Sequence, residues 1–436
     1  MSGASFAQRL TVTGTLPRLR SRNGSAVRIG FLLPRSGPEK IWGQPGLDGA
    51  SLWSDWINER GGLMIGGRRH PVEILSHDTA SGPEATLRAA QEMVETHGAC
   101  LVLTLGGNEV GPAIDYLMSR RILTTTLLPT DLSPDRPYLI APAEVHPLFN
   151  VTGVAHLATE YPGAKIALCS QNDLMGLPSL ACYRAACAVA GLPVVEEVLY
   201  EEGAAAEGIV ARMVASEADI LCWCSSTPPM VRALTLAAFA QGFGGQILSC
   251  TGDGYRQLVA ETSADFMARF TFQFPDFDDP ALADLAFFFR RPQQFFENYN
   301  SRFPESWSAV SWEYASVLDL WHQAVERVET TSPVSVLAAM KRGRQMPHAF
   351  GPARWWGDAV FGIDNALVGN WPVVRLQDGH ARIVAFASVI DWLDAHETVL
   401  ANELSRFGQL WHQRIAVRPP LQDREGRAGG SPPPAG

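Results

Sequence analysis

The chain has no apolar run approaching the ~20 residues that cross a bilayer, so direct membrane insertion is not expected. The opening stretch "MSGASFAQRLTVTGTLPRLRSRNGSAV" has basic residues but no continuous apolar segment, and does not read as a secretory signal. Cations are in short supply: 35 Lys and Arg face 45 Asp and Glu, a net charge of -10. That excludes the basic face a nucleic-acid partner needs. Cysteines are few, odd in number and irregularly spaced: Cys100, Cys169, Cys182, Cys187, Cys222, Cys224 and Cys250. No disulfide framework follows, and the thiols fit a reducing compartment. Cys222 and Cys224 share a face of one strand but lack the further ligands a metal site requires.

The usual chemical signatures are missing too. There is no GxxxxGK[ST], no GxGxxG after a strand, no GxSxG and no HExxH. "DFDDP", Asp276 to Pro280, lacks the glycine and terminal glutamate of a calcium loop, and reads as a helix N-cap. "GGNEVG", Gly106 to Gly111, resembles an anion-binding glycine loop but is weak alone. Ser226, His77 and Asp78 have no spacing that supports a nucleophile and its base. No enzyme, cofactor or metal is therefore expected.

What the chain does have is bulk and rhythm. With 436 residues, 46% of them hydrophobic, it can bury a large core, and two or three domains are expected. Val27 to Pro34 reads as a buried strand, and Gly46 to Arg60 as a helix stopped by Gly61-Gly62. "HPVEILSHD", "CLVLTL" and "ILTTTLL" read as strands separated by the helices "PEATLRAAQEMVETHG" and "VGPAIDYLMSRR". The alternation then restarts with "KIALCS", "PVVEEVLY", "DILCWCSS" and "QILSC" as strands. Strict β–α alternation predicts doubly wound parallel sheets, here two similar lobes with a cleft between them. Two long helices follow Pro280, "ALADLAFFFRRPQQFFENYNSRF" and "SWEYASVLDLWHQAVERV". Short strand-like runs with glycine turns span Val360 to Ile390. The tail "PPLQDREGRAGGSPPPAG" reads as disordered.

Ligands of open α/β sheets lie beyond the carboxyl ends of the strands. The loops of interest are therefore Arg35 to Gly46, Leu105 to Gly111, Leu128 to Asp131, Gln171 to Gly176, Ser225 to Pro229 and Thr251 to Tyr255. The first contains Trp42 in "SGPEKIWGQPGLDGA", a large indole in a segment rich in glycine and proline.

That segment, with "INERGG" and "SHDTAS" after it, resembles the branched-chain amino-acid binding proteins, the type I periplasmic solute-binding family. "GPAIDYLMSRRILTTTLLPT" resembles the family's next helix and strand. "FGPARWWGDAVFGIDNALVGNWPVVRLQDGHARI" resembles its closing hairpin, and the likeness runs from Val27 to about Ile390. The resemblance implies an α/β fold of two doubly wound parallel-sheet lobes that clamp a small ligand by hinge closure. It implies lobe 1 over residues 27–147 and 276–348, and lobe 2 over 148–275 and 349–392 with the hairpin. Residues 1–26 are expected to form an N-terminal extension, and 393–436 read as a C-terminal helix and disordered tail.

The resemblance also carries site residues. Trp42 falls where the family packs an aromatic wall, its glycine neighbours letting the backbone approach the ligand. Asn108 replaces a serine that binds the ligand carboxylate, and Thr130 matches a threonine that does so. Leu128 replaces a smaller residue, while Met175 and Ser226 replace aromatics of the second lobe. Asp253 in "TGDG" matches an acid that pairs with the ligand ammonium. Ala80 and Gly107 stand in place of the family's frequent disulfide. Structural alternatives stand beside these roles. Trp42 as a loop plug, Asn108 and Asp253 as helix caps, Thr130 as a turn residue and Met175 as core filler are each compatible with the sequence.

The implied function is solute binding for an ABC importer, with an amino acid, amide, urea-like compound or aromatic acid as ligand. The implied partner is an ABC permease and the implied location periplasmic. The alternative is a cytoplasmic sensor of the same fold acting on a regulatory partner, consistent with the thiols and the absence of a signal.

Overall fold

The computed structural model describes residues 11–13, 26–143, 145–285, 292–342 and 346–418. The extension before residue 11 and the tail beyond 418 lie outside the described residues, as does the middle of the long helix expected after Pro280.

The first sheet is built from β1 (Thr11–Thr13), β2 (Val27–Leu33), β5 (Val72–Asp78), β6 (Leu101–Thr104), β7 (Leu123–Thr125) and β8 (Leu139–Ile140). A small separate hairpin joins β3 (Leu63–Ile65) to β4 (Arg68–His70). The strand order is β1-β5-β2-β6-β7-β8, parallel apart from β1. Runs such as "VRIGFLL" are almost wholly buried, as strands covered by helices on both faces must be.

The second sheet contains β9 (Ile166–Gln171), β10 (Val194–Tyr200), β11 (Ile220–Trp223), β12 (Gln246–Ser249) and β13 (Phe270–Phe272), all parallel. It continues through β14 (Met346–His348), β15 (Gly351–Trp356), β16 (Ala366–Gln377) and β17 (His380–Ser388), which pair antiparallel. Two lobes of doubly wound α/β sheet are thus present, as expected. The run from Val360 holds something longer than short strands: β16 has 12 residues and β17 has 9. The start of β16 bridges to Ala141 beside the first sheet, and its end pairs with β13 in the second.

The helix after β2 begins at Lys40 rather than at Gly46, so Trp42 sits in its first turn and not in a loop. Pro45 inside it cannot donate to the Ile41 carbonyl. The Ser308 hydroxyl donates to that carbonyl instead, at 3.0 Å. The glycines here serve packing against protein. A Cβ on Gly43 would lie 1.7 Å from the Pro34 oxygen, and one on Gly49 1.8 Å from the Ser311 oxygen. The helix therefore presses against the returning segment around 308–314, and the helix Glu313–Val328 packs along it. Gly49→Ala should cost ~2 kcal/mol or more through backbone overlap. Gly208→Ala, on an exposed helix face with nothing within 4 Å of the added carbon, should leave stability unchanged or raise it. Thermal melts of the two variants check this; equal midpoints would contradict the packing account.

Three chain passages link the lobes: Ile140 to Val151, Phe272 to Leu282, and the stretch through β15 and β16. Aromatic rings weld them together. Phe149 from the first stacks on Trp371 from the third at 4.6 Å between ring centroids. Phe274 from the second meets the same Trp371 edge-on at 5.6 Å. Gln273 donates to the Phe149 carbonyl at 2.7 Å, and Trp371 donates to the Gln273 carbonyl at 3.0 Å.

After β17 the helix Val389–Arg406 lies on the second-lobe helix Gly176–Ala190, where Arg184 bonds Glu403 at 2.7 Å. The chain then reaches the first lobe. Arg414 donates to the Leu132 carbonyl at 3.1 Å, and Arg418 pairs with Asp135 at 2.8 Å.

Candidate functional site

The carboxyl ends of both sheets face one another, and a small cavity of about 40 Å³ lies between them. The first lobe contributes Trp42, Leu105, Leu127, Leu128, Ala309 and Val310. From the second come Met175, Trp223, Ser225, Ser226, Ser249 and Thr251. His146, Cys250 and Phe274 sit against the hinge passages. Most of this wall is apolar, with a few hydroxyls placed in it, the usual design of a small-molecule pocket.

Trp42 is buried, and its Nε1 donates to the Asp253 carboxylate at 3.3 Å. The other Asp253 oxygen accepts the Ala309 N–H at 2.9 Å. One second-lobe carboxylate thus holds two first-lobe donors, an inter-lobe latch. Asp253 makes no cap bond to the helix Tyr255–Glu261, whose N-cap is Gly254.

Leu128, Met175 and Ser226 also line the cavity. Ser226 is held by the Tyr200 hydroxyl. Asp253 lines an adjoining chamber. Asn108 and Thr130 line neither. Asn108 is exposed in a short 3-10 turn, Asn108–Val110, where its side chain makes no cap bond. Thr130 is buried in the turn Pro129–Asp131. Its neighbour Asp131 orders this corner, accepting from the Gly107 N–H at 3.0 Å and the Thr126 hydroxyl at 3.1 Å. Gly106, at φ 109°, is what lets the loop lie so close.

Sequence reasoning missed Ser249 in the cavity wall. The Ser249 hydroxyl is fully buried and has no hydrogen-bond partner among the described residues. It is the last residue of β12, so the strand-end rule pointed within two residues of it. His146 Nδ1 lies 3.6 Å from the Cys250 sulfur. Burial pushes His146 down to about 4, so its ring is neutral at physiological pH. All seven cysteines are free.

Acid groups crowd the cleft. Burial, and then the charges of Asp173, Glu109 and Glu202, hold the Glu39 carboxyl above its ordinary range. Burial likewise raises Asp253, against the bonds from Ala309, Trp42 and Thr251. Groups raised in the closed form take up protons as the lobes close. The unliganded closed form should therefore gain as pH falls into the carboxylate range, and lose as pH rises past the raised values. Small-angle scattering without solute should give a smaller radius of gyration at about pH 5 than at about pH 7.5. A radius that grows or stays fixed on acidification would contradict this.

Asp276, Asp278 and His380 lie close enough to share a cation. Arginines already serve the carboxylates: Arg256 bonds Asp276 at 3.2 Å and Arg382 bonds Asp278 at 2.6 Å. Asp279 acts as the expected N-cap, accepting from the Ala281 N–H.

Two α/β lobes, three crossings between them and a cavity shared by both strand-end rims define a two-lobed α/β protein with an inter-lobe cavity. The family described as periplasmic binding protein matches residues 26–381, most of the chain, and the chain belongs to it. Solved structures agree on the fold. One is an ABC-transporter solute-binding protein from R. palustris in complex with 4-hydroxybenzoate. It is 17% identical over 84% of this chain and 97% of its own, with a TM-score of 0.67. A leucine-binding protein from Thermotoga maritima is 14% identical over 84% of this chain and 100% of its own, with a TM-score of 0.68. An ABC-transporter substrate-binding protein from Aeropyrum pernix is 16% identical over 86% of this chain and 99% of its own, with a TM-score of 0.69. No curated protein sequence matches the chain. The sensor alternative gains no support from these likenesses. Among the described residues, no helix is long and apolar enough to cross a membrane.

Proposed function

We propose that the protein captures a small solute between its lobes and presents it to the permease of an ABC importer, on the periplasmic side where its family works. The observation that carries this reading is a largely apolar cavity walled by both lobes, with the Ser249 hydroxyl buried in its wall and without a partner among the described residues. A buried hydroxyl left unpaired is costly, and a bound solute would relieve that cost. The solute is small, with an apolar body and a few hydrogen-bonding groups. Trp42 and Leu128 wall it from the first lobe, and Met175 and Ser226 from the second. Asp253 latches the closed form through Trp42 and Ala309.

The neighbours bind aromatic acids and leucine, which sets the screen. A thermal-shift panel of 4-hydroxybenzoate, leucine, acetamide, urea, 2-phenylethylamine and phenylacetamide should contain at least one compound that raises the melting midpoint. A solute at a hundredfold excess over its Kd adds ~2.7 kcal/mol by mass action. Ser249→Ala should then weaken the best binder about threefold to tenfold, the worth of one buried hydrogen bond. A panel that leaves the midpoint unmoved at millimolar concentration would overturn the reading.

A further inference from the structure

The chain beyond β17 runs from one lobe to the other. The helix Val389–Arg406 is packed on the second lobe, against the helix Gly176–Ala190 and β16, with Val389, Leu393, Leu400 and Leu404 buried. The helix Trp411–Val417 that follows has no buried residue, and polar contacts tie it to the first lobe. Arg414 donates to the Leu132 carbonyl at 3.1 Å. Arg418 reaches Asp135 at 2.8 Å and the Ser133 hydroxyl at 3.3 Å. A Cβ on Gly362 would lie 2.7 Å from Pro134 and 2.9 Å from Trp411, which places that indole beside the same loop. The family match ends at residue 381, before either helix begins.

Each attachment is made to an element that also walls the cavity. On the first lobe, the anchor loop 132–135 continues from Leu128, a lining residue. That loop is fixed to its own lobe at both ends: Asp131 accepts the Gly107 N–H at 3.0 Å, and Arg136 bonds Asp115 at 2.7 Å. On the second lobe, Glu403 is bonded by Arg184 of the helix Gly176–Ala190, which starts beside the lining residue Met175. The joint between the two C-terminal helices, Phe407 to Leu410, is stiff. The Gly408 N–H returns to the Ser405 carbonyl at 3.1 Å, and the Gln409 N–H to the Leu404 carbonyl at 2.9 Å. The Gln413 amide donates to the Ser405 carbonyl and hydroxyl, at 3.2 Å each. Gln409 itself is buried. Separation of the lobes therefore finds no slack here. It must break the joint or pull Arg414 and Arg418 off their loop, and charge-assisted bonds of that kind are among the stronger ones in proteins.

We infer that the segment from Val389 to Arg418 is an inter-lobe strap that limits how far the cleft opens when no solute is bound. It holds the empty lobes nearer to the closed arrangement, so that less free energy is needed to close them on a solute. The strap is a property of the empty protein and stands apart from the identity of any solute.

Small-angle scattering of the unliganded protein at neutral pH tests it, with thermal melts to show that each variant is folded. The double variant Arg414→Gln, Arg418→Gln releases the first-lobe anchors and keeps the helix on the second lobe. Its radius of gyration should exceed that of the unchanged chain by more than the spread of replicate measurements. Arg406→Ala, on the exposed last turn of Val389–Arg406, should leave the radius where it was. A second comparison does not depend on the double variant folding. A chain ending at Leu410 loses the anchoring helix but none of its buried core, since that helix has no buried residue. It should have a larger radius than a chain ending at Arg418, although it is the shorter of the two. A chain ending at Leu410 that is no larger than the one ending at Arg418 would overturn the strap. So would a folded double variant with an unchanged radius, or Arg406→Ala opening the protein as far. Each of these leaves the solute-clamp reading standing, because none involves a solute.

Discussion

Trp42→Ala is expected to weaken solute binding about 30-fold or more, ~2 kcal/mol, while the protein stays folded. Two effects add. The cavity loses its largest first-lobe wall, and Asp253 loses the indole N–H that joins it across the cleft. Asp253 is then left near the cavity with one first-lobe donor, the Ala309 N–H, and the closed form becomes harder to reach. Trp42→Phe separates the two effects, keeping most of the wall and removing only the donor. Calorimetric titration beside thermal melts reads both variants. Wild-type affinity in a folded Trp42→Ala protein would reduce Trp42 to a packing residue of its helix.

Truncation after Ser388 should be the most damaging change to stability. It removes the helix Val389–Arg406, whose Val389, Leu393, Leu400 and Leu404 are all buried. At ~1.5–3 kcal/mol for each buried aliphatic side chain, the loss is on the order of 6 kcal/mol even after discounting for a compact unfolded chain. It also uncovers the face of Gly176–Ala190 beneath, and leaves Arg184 without Glu403. A midpoint lowered by on the order of 10 °C, or aggregation on expression, is expected. A truncated chain that melts with the full one would mean that the helix is an ornament on the second lobe.

Much of the fold was legible because parallel strands buried on both faces leave continuous apolar runs, and helices between them leave amphipathic ones. β2, β6, β9 and β12 are each such a run. The errors fall where tertiary contacts override local signals. Three glycines and Pro45 read as a loop, yet Ser308 and the 308–314 segment complete a helix there. β13 is three residues long and is defined by β12 and β16 rather than by its own pattern. The hinge cluster of Phe149, Phe274 and Trp371 is invisible in sequence, since rings so far apart carry no shared period. At the cavity, the loops after the strands contribute much of the lining. The family pattern placed Trp42, Leu128, Met175 and Ser226 at the cavity, because their backbone positions are fixed by the strands before them. Asn108 and Thr130 fell outside it. Asp131, by tying the Gly107 and Thr126 loops together, fixes that corner with Asn108 turned to the surface. Ser249 escaped notice because a serine ending a strand looks like any other until its hydroxyl is seen buried and unpaired.

The central claim is that the lobes close on a solute. It is tested most directly by small-angle scattering at neutral pH, with and without the compound that most raises the melting midpoint. Closure about the hinge passages predicts a smaller radius of gyration with solute present and little change within either lobe. A solute bound at saturation with the radius unchanged would contradict the clamp.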